Sequence, residues 1–123
     1  MRTRSQIYAL KVYDQVRGMA DREEDFRKKY GSMAHRLPAL IRSSGLAQAL
    51  GFLETRATRE KAHAMLLQHI EEAVGESSLV CRSRKADLCE YMSLTRKVML
   101  ALEWYGRFAE SVLGVKKDSN VEG

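Results

Sequence analysis

The sequence predicts an all-α protein, a single compact bundle of five or six helices with the long C-terminal helix at its centre. Apolar residues recur with helical spacing along nearly all of the 123 residues, and alternation with a period of two never lasts for the length of a strand. The chain holds one proline and no stretch rich in glycine and serine. We therefore expect residues 1–123 to form one domain, with 116–123 as a flexible tail.

Two helices are predicted in the first third of the chain. The first covers residues 3–20, and its apolar side carries Ala9, Tyr13, Val16 and Ala20. Asp21 is the expected N-cap of the second helix, which covers residues 22–44. Its apolar residues fall within an arc of about 120°; they are Phe26, Tyr30, Met33, Ala34, Leu37, Leu40 and Ile41. Because proline lacks a backbone donor and clashes with the preceding turn, we expect a kink or a local break at Pro38.

The middle of the chain predicts two more helices. Gly45 follows two serines and precedes an apolar run, so we expect it to end the second helix with φ > 0. Residues 46–53 are apolar almost all round, which indicates a short buried helix, and residues 55–58 are expected to form a turn. A further helix over residues 59–74 carries His69 in the centre of its apolar stripe, where we expect a hydrogen-bonded core histidine rather than a metal ligand. Residues 77–86 are predicted to form either a short helix capped by Ser77 or Ser78, or a loop.

The last predicted helix, residues 87–113, is the longest. Its main apolar stripe carries Leu88, Tyr91, Met92, Thr95, Met99, Leu102, Ala109 and Leu113. Leu100, Trp104 and Phe108 cover much of the opposite side, so this helix is packed by neighbours on most sides or also contacts a partner. Three roles remain open for Trp104: a core residue, an anchor for a protein partner, or a stacking platform.

The distribution of apolar and charged residues argues against a membrane-spanning helix and a signal peptide. The longest apolar runs are far shorter than the roughly 20 residues of a membrane-spanning helix. The N-terminus begins basic, but Lys11 and Asp14 interrupt the apolar core that a signal peptide would need. We therefore expect a cytoplasmic protein with no membrane contact. Cys81 and Cys89 are predicted to be buried thiols rather than a disulfide.

The sequence offers little for catalysis. His63 and His69 are six residues apart and fall on different faces of a helix, whereas helical metal-binding pairs are three or four apart. Glu71 and Glu72 are adjacent, point apart and are expected to be solvated. No nucleophile, base and orienting group come together on the predicted helices. We therefore predict no catalytic residue, no metal ion and no cofactor.

The distribution of basic residues is more informative than the net charge of +5. Residues 26–53 contain five basic residues and no acidic one. Within the second helix, spacings of seven produce two rows, the first with Lys28, His35 and Arg42 and the second with Lys29 and Arg36. Such rows are either a solvated face or a track for phosphates that binds a nucleic-acid backbone without reading its bases. The absence of acids favours the phosphate track.

Residues 30–53, YGSMAHRLPALIRSSGLAQALGFL, resemble the signature of a known family. The family is the small helical subunit of the type III-B CRISPR effector, the Cmr RNA-targeting complex. The matching residues are Tyr30, Ser32, Ala34, Arg36, Leu37, Pro38, Leu40, Ile41, Gly45, Leu46, Ala47, Gln48 and Phe52. Weaker matches are Gln6, Ala9, Val16, Tyr91, Thr95, Ala101, Trp104 and Arg107. Ser44 departs from the pattern but remains a turn former.

The resemblance implies a non-catalytic scaffold. Such subunits stack with copies of themselves as a minor filament, contact the backbone and large subunits of the complex, and help to hold the target RNA alongside the crRNA. Combined with the basic rows, it predicts an RNA-binding surface made of Lys28, Lys29, Arg36, Arg42 and Arg107. The alternative is a helical protein–protein adaptor without direct RNA contact, in which the basic rows are only solvated.

Overall fold

The computed structural model describes residues 1–117, which contain six α-helices and no β-strand. The helices are α1 (Arg4–Arg17), α2 (Glu24–Ser44), α3 (Leu46–Ala57), α4 (Lys61–Val74), α5 (Leu79–Lys85) and α6 (Leu88–Ser111). The all-α prediction and the number of helices are confirmed. The predicted tail, residues 116–123, lies outside the described residues except for Lys116 and Lys117, which are exposed. No helix among residues 1–117 is long and apolar enough to cross a membrane.

Helix α6 packs against α1, α2 and α4, as its predicted central place requires. Its buried face differs from the predicted stripe. Leu88 and Met92 are 72% and 49% exposed. The residues that α6 buries are Leu94, Val98, Ala101, Leu102, Tyr105 and Ala109. The stripe was wrong at its start because the helix is apolar on most sides, so periodicity alone does not choose the face that its neighbours cover.

The apolar face of α2 was predicted correctly, whereas that of α1 was predicted correctly at Val16 and wrongly at Tyr13. Helix α2 buries Tyr30, Gly31, Met33, Ala34, Leu37 and Ile41, and it continues unbroken through Pro38. Helix α1 buries Tyr8, Val12 and Val16, and leaves Leu10 and Tyr13 exposed. The predicted capping by Asp21 is also wrong, because α2 begins after Glu23, whose side chain makes no capping hydrogen bond.

Gly45 separates α2 from α3 with a φ of 87° and a ψ of 161°. The positive φ was predicted. This combination with an extended ψ is essentially restricted to glycine, unlike the left-handed helical region that asparagine also visits. The site is crowded as well, because a Cβ on Gly45 would lie 3.0 Å from the hydroxyl of Tyr91. That hydroxyl accepts a hydrogen bond of 3.0 Å from the backbone N–H of Ala47 and thereby caps α3 from α6.

One segment predicted as a turn, and one left open between a helix and a loop, are both helical. Helix α3 extends to Ala57 and includes most of the predicted turn at residues 55–58. Residues 79–85 form α5, and the backbone N–H of Leu79 donates to the Glu71 carboxylate at 3.0 Å. Glu71 of α4 therefore caps the N-terminus of α5 and is not the purely solvated acid that was expected. Both cysteine thiols are free, but they are exposed, so their predicted burial is wrong.

Truncation of one buried leucine tests the face assigned to α6. Leu102 is 1% exposed. We expect Leu102→Ala to lower the free energy of unfolding by about 2–5 kcal/mol, because the cavity that it leaves cannot fully collapse. Leu88→Ala on the same helix is the matched control and should change it by less than about 0.5 kcal/mol. Urea denaturation of both variants measures the difference, and similar losses would contradict the assigned face.

Two glycines with positive φ give a second matched pair. Gly75 ends α4 with a φ of 74° and a ψ of 29°, and no atom lies within 4 Å of an added Cβ. We expect Gly45→Asn to cost about 1–3 kcal/mol of stability and Gly75→Asn to cost less than about 1 kcal/mol, because asparagine tolerates only the second conformation. Thermal unfolding checks both variants. Equal losses of stability in the two variants would mean that the extended ψ of Gly45 does not disfavour asparagine.

Candidate nucleic-acid interface

A groove of 290 Å³ runs between α2, the end of α3 and the start of α4. The side chains that line it are Lys28, Lys29, Ser32, Met33, Arg36, Arg56, Glu60 and His63. Lys28, Lys29 and Arg36 were predicted from the sequence, and the structure brings them together. Four basic residues and one acidic residue line the groove, so it favours an anion.

The two lysines differ in how far their charge is offset. The Nζ of Lys29 lies 2.9 Å from a carboxylate oxygen of Glu60 and 3.1 Å from one of Asp25. Hydrogen bonds to these carboxylates raise the pKa of Lys29. Lys28 has one partner, Glu24, at 3.4 Å, and both side chains are exposed. Exposed pairs of this kind are weak, so Lys28 is the more available of the two lysines.

Arg36 and Arg56 converge on a single aromatic ring. The guanidinium carbons of Arg36 and Arg56 lie 4.9 and 5.0 Å from the centre of the Phe52 ring. Cation–π contacts of this kind orient the planar groups without consuming their hydrogen-bond donors. The Nε of Arg36 is buried and has no hydrogen-bond partner. Sequence reasoning missed Arg56 because it lies on α3, in a segment predicted to be a turn, outside the rows on α2.

The other two predicted RNA-binding residues lie outside this groove. Arg42 is exposed in the last turn of α2. Arg107 lines a second groove, between α2 and α6, together with the acids Glu103 and Glu110. Because two acids offset Arg107 and the neighbouring Lys117 there, the second groove carries little net charge.

Trp104 is a packed residue at the boundary of α1 and α6. Its indole N–H donates to the hydroxyl of Ser5 at 3.1 Å, and its ring stacks on Phe108 with 5.7 Å between ring centres. The guanidinium of Arg107 lies 5.1 Å from the ring centre. These contacts support the first of its three predicted roles, a residue packed within the fold.

The two histidines of α4 occupy different environments. His69 is buried, and its Nδ1 shares a hydrogen bond of 2.7 Å with the hydroxyl of Tyr30, which confirms the predicted hydrogen-bonded core histidine. His63 is 6% exposed, and its Nδ1 has no hydrogen-bond partner. Burial lowers the pKa of both imidazoles, and the nearby Arg56 lowers that of His63 further. Among residues 1–117, no three His, Cys, Asp or Glu side chains are placed to hold a metal ion.

Comparison with known proteins assigns the family. The family model described as CRISPR-associated protein (Cas_Cmr5) matches residues 4–112. The protein named CRISPR system Cmr subunit Cmr5 from Thermus thermophilus is 40% identical in an alignment of 116 residues that covers 92% of this chain and 98% of that protein. The crystal structure of a CRISPR-associated Cmr5 family protein from the same organism aligns with a TM-score of 0.84 and 40% identity, covering 92% of this chain and 99% of that one.

An all-helical fold with these matches defines a CRISPR-associated protein. The chain belongs to the Cmr5 family, so the resemblance drawn from residues 30–53 is confirmed.

Acidification should destabilise the fold through its buried histidines. The folded-state pKa of His63 and of His69 lies below the ordinary value of 6.5, so near and just below that value the unfolded chain binds more protons than the folded chain. The free energy of unfolding should therefore decrease from about pH 8 to about pH 5.5. His69→Gln should show a smaller decrease in urea denaturation at these two pH values. An equal decrease in the variant would contradict a role for His69.

Proposed function

We propose that the chain is a non-catalytic small subunit of a type III-B Cmr effector complex in the cytoplasm, where it helps to hold the target RNA strand. Membership of the Cmr5 family supports the assembly. One observation carries the RNA contact: basic residues from two helices, Lys28 and Arg36 of α2 and Arg56 of α3, converge on one groove that contains a single acid, Glu60.

The groove suits a sugar–phosphate backbone better than a particular base. The guanidinium groups of Arg36 and Arg56 present planar, permanently charged donors, which match phosphate oxygens. Lys28 adds a mobile charge at the exposed edge. Such contacts release counterions from the RNA, so binding should weaken with salt and depend little on base sequence.

The remaining predicted residues take weaker roles in this proposal. Lys29 contributes less because Glu60 and Asp25 already bind its ammonium group. Arg42 extends the basic line toward the end of α2, and Arg107 is a separate contact in the second groove.

Exposed apolar side chains support contacts with protein partners. Ile7, Leu10 and Tyr13 lie three residues apart on the outer side of α1, and Leu88 and Met92 lie one turn apart on α6. We assign these surfaces to the protein contacts of the complex: its backbone subunits, its large subunit and further copies of this chain in the minor filament. Copies in a filament also multiply the RNA contacts that a single groove offers.

A second function is favoured by the same apolar residues. In this second function, the subunit acts only through protein contacts at α1 and the start of α6. The chain is then a helical adaptor between protein subunits, and its basic groove is only solvated. The first function predicts that removing the charges of the groove lowers the RNA affinity and its salt dependence. The second predicts that neither changes.

Paired substitutions in the assembled complex test the groove. Lys28→Gln/Arg56→Gln should weaken target RNA binding and reduce the log–log salt slope by about 1.4, or about 0.7 for each phosphate that the variant no longer neutralises. Arg36 is left intact because its Nε is buried, so that its replacement would confound stability with binding. Filter binding at several salt concentrations measures the slope, after confirming that the complex assembles.

The matched control is Arg42→Gln/Arg107→Gln, which removes the same charge outside the groove. We expect a smaller decrease in affinity and in slope. Equal decreases would indicate diffuse electrostatic attraction rather than a groove, and no decrease in either variant would establish the adaptor function.

A further inference from the structure

His63 is the feature of the groove that the proposed function does not use. It lies on α4 at the inner wall of the groove, and its Nδ1 is buried with no hydrogen-bond partner. The Nε of Arg36, across the groove on α2, is in the same situation. Buried polar atoms in folded proteins nearly always have a partner, so two side chains that line one groove and each hold an unpaired nitrogen point to a ligand with acceptor atoms.

We infer that this groove contains a phosphate subsite, in which Arg36 and Arg56 hold one phosphodiester group of the RNA and the protonated His63 imidazole donates to it. This inference rests on the proposed function and adds to it a specific residue and a dependence on protons. A phosphodiester provides two charged acceptor oxygens, which is the chemistry that two guanidiniums and an imidazolium recognise.

The charged groups around His63 explain why proton uptake would accompany binding. Lys28, Lys29 and Arg36 of α2, Arg56 of α3 and Glu60 before α4 line the groove with it. Burial and the charge of Arg56 lower the pKa of His63 in the free chain, so its imidazole is neutral near pH 7. A bound phosphate brings a negative charge that offsets Arg56 and favours the imidazolium.

Thermodynamic linkage between proton binding and RNA binding fixes the direction in which pH changes the RNA affinity. If RNA raises the pKa of His63, protonation of His63 must strengthen RNA binding by the same factor. A rise of one in the pKa of His63 corresponds to a tenfold change in RNA affinity. RNA should therefore bind at least about tenfold more tightly at a pH below the pKa values of both states than at a pH above them, since a charge within hydrogen-bond distance shifts a pKa by about 1–3.

The experiment uses the full chain and a single-stranded oligouridylate without terminal phosphates. The imidazole signals of His63 are followed by NMR from about pH 5 to about pH 8, with and without the oligonucleotide. We expect the pKa of His63 to rise when the oligonucleotide is bound. His63→Gln should bind no more tightly at low pH than at high pH, whereas His35→Gln, a histidine in the second groove, should keep the rise at His63.

The outcomes separate this inference from the proposed function. If the oligonucleotide binds but leaves the pKa of His63 unchanged, the phosphate subsite is overturned and the RNA-binding groove stands. If the signals of the groove residues do not respond to the oligonucleotide at millimolar concentration, both are overturned. If sulfate raises the pKa and the oligonucleotide does not, the groove takes a small oxyanion, and the assignment to RNA is wrong.

Discussion

Two buried tyrosine hydroxyls impose the constraint on which this bundle depends. Tyr30 and Tyr105 are fully buried, and burial raises the pKa of each, so both hydroxyls stay protonated and need partners. Tyr30 bonds to Nδ1 of His69, and Tyr105 donates to the side-chain oxygen of Gln15. The amide of Gln15 then donates to the backbone oxygen of His69 at 3.0 Å. Apolar contacts between helices are not directional, but this chain of bonds joins α1, α2, α4 and α6 in one arrangement.

The basic groove follows from the same contact between α2 and α4. Tyr30 and His69 form the buried hydrogen bond of that contact, and Lys29 and Glu60, which line the groove, form its ion pair near solvent. His63 lies between these two points along α4. Because Tyr30 is bonded to His69 and the neighbouring Lys29 to Glu60, one turn of α2 is fixed against two points of α4, at its start and near its end. The spacing between the basic residues of α2 and those of α3 and α4 is therefore set by a buried hydrogen bond and an ion pair at the surface together.

The helices were predicted well from the sequence, but the buried face was predicted correctly for some helices and wrongly for others. The reason is physical. Helix α2 has one apolar arc and a charged opposite side, so only one orientation buries its apolar residues. Helices α1 and α6 carry apolar residues on several sides, and their neighbours decide which are covered. Leu88 was therefore placed in the core and Tyr105 was not. Gly45 shows the same limit: its position before an apolar run predicts a positive φ, but its extended ψ accompanies the close approach of Tyr91 from α6.

The candidate interface was predictable only along one helix. The rows on α2 identified Lys28 and Arg36, but Arg56, Glu60 and His63 reach the groove from parts of the chain that sequence spacing does not relate to α2. The carboxylate of Glu60 offsets much of the positive charge of Lys29, while Arg56 adds positive charge beside Arg36. The local charge is therefore a property of the folded surface, and the acid-free segment from 26 to 53 only approximates it. Under the proposed function, the three available cations of one groove form few phosphate contacts. Tight binding of a long strand would then require several copies side by side, because each added groove would bind a strand that its neighbours already hold nearby.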